Sequence, residues 1–206
     1  MDRDVVAGAV AGHLGGPVEL EGTGDQFAVR SEQGLLHARV ADQAHGWRCG
    51  ETWRLVLLGS PGHDAPAPDW LAVHADGRWW PLDTEDGFRA FVEALYDDLS
   101  GEALAGILAA THSPMASSRL IVDAEDLSRT ADEFAGLVEP PVEVTRSSLN
   151  GRWQVTFLSA ALIPDVEGLH RLWIWRWHVT GEPGGRELAW WALPVIEGEL
   201  LARYAP

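Results

Sequence analysis

The sequence predicts an α+β protein of antiparallel β-sheets with helices packed on them. Three observations carry this. Most of the eleven tryptophans fall in short apolar runs of β-branched and aromatic residues, which read as strands. Two such pairs of runs flank Asp76-Gly77 and Asn150-Gly151, dipeptides that reach positive φ readily and so favour tight hairpins. One segment instead repeats Phe88, Phe91, Val92, Leu95, Tyr96 and Leu99 at the i, i+3, i+4, i+7 spacing of a single buried helix face.

In chain order, Val5 to Leu14 is a weakly amphipathic helix closed by Gly15, Gly16 and Pro17, which cannot continue it. Extended runs follow at Val18 to Glu21, Gln26 to Ser31 and Leu35 to Ala41, the last two joined by a tight Glu32, Gln33, Gly34 turn. Thr52 to Leu58 is a further strand, and Gly59 to Asp69, rich in glycine and proline, a loop. Trp70 to Ala75 and Arg78 to Leu82 form the Asp76-Gly77 hairpin. Thr84 then caps the Phe88 to Leu99 helix, and Ser100 a second helix bearing Leu104, Ile107 and Leu108.

The loop from Thr111 to Ser118 marks the expected division into an N-terminal α+β unit, residues 1–112, and a C-terminal one, residues 119–206, joined by a linker at 113–118 or packed as one domain. Beyond it, Leu120 to Val122 is a short apolar run. Asp123 caps a helix through Leu127, Ala131, Phe134 and Val138 that must stop at Pro140-Pro141. An antiparallel meander completes the chain: Val142 to Ser147, Arg152 to Ala160, Leu169 to Thr180 and Glu187 to Val195. A last amphipathic turn carries Leu200, Leu201 and Tyr204. The halves are faintly alike. In each, a helix ends at a proline followed by Val-Glu and an aliphatic residue (Pro17 to Leu20; Pro141 to Val144); Phe27-Ala28-Val29 then aligns with Trp153-Gln154-Val155, and Trp53 and Trp177 fall at similar offsets. A true duplication predicts two helix-plus-sheet units, although the shared grammar of helix, proline and strand explains the likeness as well.

Composition excludes whole classes of chemistry. Thirty-one acids against fifteen bases give a net charge of −16, which repels phosphate backbones and anionic headgroups, so neither nucleic acid nor membrane is an expected partner. All fifteen bases are arginine; without lysine there is no Walker-type phosphate loop and no Schiff-base nucleophile. The single cysteine, Cys49, forbids an internal disulfide and a cysteine-built metal cluster. No run approaches the roughly 18 apolar residues of a membrane span, and the N-terminus lacks the basic-then-apolar order of a signal peptide, so the expected compartment is the bacterial cytoplasm.

The candidate site residues lie in the C-terminal meander. On an extended strand Trp173, Trp175 and Trp177 share one face as a continuous aromatic stripe, and the pair Trp190, Trp191 follows on the next strand. Three readings stand: a packed core, a protein-docking or dimer face, or a platform for sugars and planar ligands. The opposite face runs from Leu172 and Ile174 to Arg176 and His178, apolar at one end and polar at the other, as at the rim of a cleft. His170 and His178, eight residues apart, are separated by about 26 Å on a regular strand, too far to share a metal. Ser60, His63 and Asp64 hold the residue types of a triad but sit as sequence neighbours, and no nucleophile elbow is present. Cys49 near His45 reads as a packing residue or as an imidazole-activated nucleophile. The remaining histidines are dispersed, and Gly22 and Gly24 open like a dinucleotide fingerprint whose third glycine position holds Phe27.

These residues lead to the expectation of a non-enzymatic acidic interaction module, a homodimer binding another, basic or partly unfolded, polypeptide through a tryptophan-rich sheet face, with no metal or cofactor. In outline it is similar to small acidic helix-plus-sheet dimers of the secretion-chaperone kind and to immunity proteins that neutralise basic toxins, a similarity of class that no motif carries. The alternative is a small-molecule-binding protein or enzyme with a tryptophan-lined cleft holding Arg176 and His178.

Overall fold

The computed structural model describes residues 1–44, 47–61, 68–114, 119–121, 142–146, 151–165 and 170–201, and it has the α+β architecture expected from the sequence. Its contacts group the chain into two compact units, Met1–Asp98 and Leu99–Pro206.

The first unit opens with helix α1 (Arg3–Leu14), capped by the Asp2 carboxylate, which accepts from Asp4 N at 3.0 Å, and ended by Gly15 in the left-handed region. Strands β1 (Val18–Glu21), β2 (Gln26–Ser31) and β3 (Gly34–Ala41) follow, then a short β4–β5 ladder (Gln43–Ala44 with Trp47–Arg48), β6 (Trp53–Gly59), β7 (Asp69–His74) and β8 (Trp79–Pro81). The main sheet runs β1-β2-β3-β6-β7-β8, every pair antiparallel. Alternation decides its faces. Phe27 and Val29, Ala38, Val56 and Leu58, and Leu71 and Val73 point to one side, where Val6, Ala9 and Val10 of α1 complete a core. Trp53, Leu55, Ala72 and Trp80 point to the other. There α2 (Glu85–Ala94) sets Phe91 edge-on to Trp53 at 5.1 Å and to Trp80 at 5.9 Å.

Two local features differ from expectation. The helical spacing through Leu99 is not one helix: α2 ends at Ala94, its C-cap Leu95 leaves the helical region at φ −118°, and a 3-10 turn, Tyr96–Asp98, carries the chain on. The Asp76-Gly77 hairpin is three residues long rather than two. His74 N donates to Arg78 O at 2.8 Å around Ala75, Asp76 and Gly77, with Gly77 at φ 92° and the Asp76 carboxylate accepting from Arg78 N at 3.0 Å.

The second unit begins with α3 (Gly101–Thr111), capped by Ser100, which accepts from Ala103 N at 3.1 Å. The whole run Ala103 to Ala109 is buried, the mark of a helix enclosed on all sides. It packs against β9 (Arg119–Ile121), β10 (Val142–Arg146) and β11 (Trp153–Pro164). This is why the unit boundary falls at Asp98 and Leu99 instead of in the loop after Thr111. The sheet continues through β12 (His170–Gly181) and β13 (Ala189–Leu201) in the order β10-β11-β12-β13, with β9 also on β11. Arg146 pairs with Trp153, and Asn150 of the expected Asn150-Gly151 turn lies outside the described residues. The helix expected over 123–138 and the turn at Tyr204 lie outside the described residues. Among the described residues, no helix is long and apolar enough to cross a membrane.

Candidate functional site

Strand β12 is clamped along its whole length between β11 and β13, and its two faces do different work. The odd-numbered face carries the aromatic stripe. Phe157 lies directly across from Trp177, the rings stacked at 5.5 Å and 7°. Trp177 is 1% exposed, and its indole N–H donates to the hydroxyl of Ser159, itself fully buried, at 2.8 Å. A buried hydroxyl and a buried indole thus satisfy each other, the condition for placing either in a core. Trp175 is 5% exposed and stacks at 6.0 Å on Trp173, which is half-buried. Trp190, across from Val179, meets His112 at the end of α3 edge-on at 5.2 Å. Trp175 and Trp177 are therefore interior packing residues of this unit.

The even-numbered face divides as the sequence ordered it. Leu172 and Ile174 join Ile121, Leu158, Ala160 and Ile196 in a buried cluster. Past them Arg176 and His178 are half-buried. The pairing of β12 with β13 sets Trp191 across from His178 and Leu193 across from Arg176. The His178 ring stacks on Trp191 at 5.3 Å and 18°. Trp191, Leu193 and Val195 are 46%, 52% and 39% exposed, so three large apolar side chains stand out from one stretch of the strand.

That strand is an edge of the sheet among the described residues, and it is broken in a particular way. Pro194 supplies no backbone donor, and register shifts bulge the strand at Val195 and again at Gly198. Proline and bulges are devices that blunt an edge against indiscriminate strand addition. What remains available is the side-chain face. Of the sequence candidates, then, Trp191 and His178 form an accessible cluster with Arg176 beside it, while Trp175 and Trp177 lie inside. Leu193 and Val195 complete the cluster, although in sequence they read as ordinary strand apolars.

Other candidates are not brought together. His170 and His178 sit at opposite ends of β12. His45, His63 and Asp64 lie outside the described residues. Burial pushes the Cys49 thiol up to about 12, and its sulfur donates to Ala41 O at 3.6 Å, so at neutral pH it is a packing thiol and not a thiolate. Among the described residues, no three His, Cys, Asp or Glu side chains cluster to hold a metal. Compared with known protein families, curated proteins and solved structures, the chain matches none of them.

Proposed function

We propose that this protein is a binding module that engages another polypeptide, one of net positive charge, through the Trp191, Leu193 and Val195 face of β13, with the His178 ring backing Trp191. The observation that carries the proposal is that contiguous exposure: an edge strand presenting a half-exposed tryptophan between apolar neighbours is the composition of an interface anchor rather than of an ordinary solvated surface. The chain's charge of −16 supplies the complementarity that selects a basic partner and steers its approach.

The test is native mass spectrometry of the protein purified gently from its own host, beside a Trp191→Ser, Leu193→Ser double variant of unchanged circular dichroism. The expected result is a complex of the wild-type chain with a basic polypeptide, absent from the variant, whose purified partner rebinds less tightly as salt rises. Equal retention of the polypeptide by both proteins, or its absence from both, would overturn the proposal. A doubled mass lost in the variant would replace the basic partner by a second copy of this chain.

A further inference from the structure

The first unit carries a groove of about 460 Å³ on the sheet face that α2 packs against, at the β2–β3–β6 end. This is within the range of small-molecule sites, roughly 300–1,000 Å³. The register builds it. Gln26, Arg39 and Leu57 stand in one row across the three strands, and Ala28, His37 and Gly59 in the next. Ala28 leaves a low floor between the longer side chains, Pro68 lies over Gly59, and Ser60 also lines the groove.

The polar groups around this floor are unspent. Among the described residues Arg39, His37, Gln26 and Ser60 have no side-chain hydrogen bond or ion pair, whereas Arg30, Arg78, Arg89, Arg152 and Arg171 each hold a carboxylate. Acids outnumber arginines two to one in this chain, yet among the described residues no acid lines the groove. The carboxylate of Glu21, across from Ala28, is engaged by Arg30 at 2.9 Å and 3.3 Å. A guanidinium left without an acid in so acidic a molecule, beside an imidazole, an amide and a hydroxyl, is chemistry for an oxyanion.

We infer that this groove binds a small organic carboxylate, its head on Arg39 within reach of His37 and Gln26 and its apolar body over Ala28 and Leu57. The test is an NMR titration of the whole chain with benzoate, and separately with inorganic phosphate. The expected result is a saturable benzoate response confined to the amides around Gln26, Ala28, Arg39 and Gly59. Arg39→Gln weakens it at least about tenfold. Ala28→Leu, which fills the floor without touching charge, abolishes it, and Arg3→Gln at the exposed N-terminus leaves it unchanged. A response as large in Arg39→Gln as in wild type, shifts scattered over surface arginines, or a dissociation constant weaker than about 1 mM for both probes overturns the site. Saturation by phosphate and not by benzoate overturns the carboxylate assignment.

Discussion

The two sheets finish their exposed faces in opposite ways. In the first unit α1 covers one face and α2 part of the other, and the uncovered part of that second face is polar: Gln26, His37 and Arg39 around small floor residues. In the second unit the uncovered part carries Trp191, Leu193 and Val195. Water solvates the first surface without loss. The second keeps a large apolar area in contact with water, a standing free-energy cost of about 25 cal/mol per Å² that association removes. The same architecture thus offers a polar groove in one unit and an exposed apolar face in the other. The difference lies in which residues occupy the alternate positions of strands that are otherwise alike.

The comparison breaks first at tryptophan, where position should outweigh identity. Trp177→Ala is expected to cost about 3–5 kcal/mol, because it empties the stack on Phe157 and strips Ser159 of its donor. Trp191→Ala is expected to cost about 1 kcal/mol or less, since the ring loses only its stack on His178. Urea unfolding of the two variants measures both; similar losses would mean that Trp191 is as structural as Trp177 and would remove the anchor.

A device common to both units gives the next largest effect. Each packs an indole closely against a glycine. Gly50 admits Trp53, where an added Cβ would lie 2.6 Å from the indole nitrogen, and Gly181 admits Trp153, its direct cross-strand partner. Gly50→Ala and Gly181→Ala are each expected to cost about 1–3 kcal/mol by overpacking. Gly8→Ala, in an open stretch of α1 where a Cβ meets nothing within 4 Å, should stabilise by about 0.5–1 kcal/mol instead. Thermal melts of the three variants check the sign as well as the size; a neutral Gly181→Ala would show that the indole has room to shift.

Much of this architecture was legible in the chain itself. Alternation in Gln26 to Ser31 and Leu172 to Val179 is enough to assign side chains to faces, and the caps at Thr84 and Ser100 follow from their hydroxyls preceding an apolar period. The meaning of the tryptophan stripe was not legible, since an apolar face looks the same whether a helix or a partner covers it. Among the described residues β13 stands at an edge, and that position is set by strand order, a long-range property that no local window contains. The groove was invisible for the same reason: Gln26, His37 and Gly59 come from three strands and meet only through register. The faint duplication is also limited by strand order. Its lead-in pairs match, Leu20 with Val29 and Val144 with Val155, but Trp53 lies on the fourth strand of its sheet and Trp177 on the third of its own path.

The smallest effect separates the ways in which the two units turn their strands. The connection from β12 to β13 uses Pro183–Gly185, whereas the β7–β8 turn is closed by a charge. The Asp76 carboxylate accepts from the Arg78 backbone N–H, with the His74 ring at 2.8 Å and the Arg78 guanidinium at 2.8 Å adding to it, and together they hold its pKa at about 2, below the ordinary carboxyl value. A depressed carboxylate stabilises the turn at pH values above that ordinary value, and the contribution is lost as pH falls towards 2. Because the backbone amide is the largest cause, Arg78→Gln should leave most of the depression in place, while Asp76→Asn should make the turn indifferent to acid. Following the Asp76 carboxyl and the Gly77 amide by NMR from pH 5 to pH 2 tests this. A midpoint near that of a free aspartate would mean that the turn is held by the φ of Gly77 alone, and the β7–β8 turn would then match its glycine-built counterpart between β12 and β13.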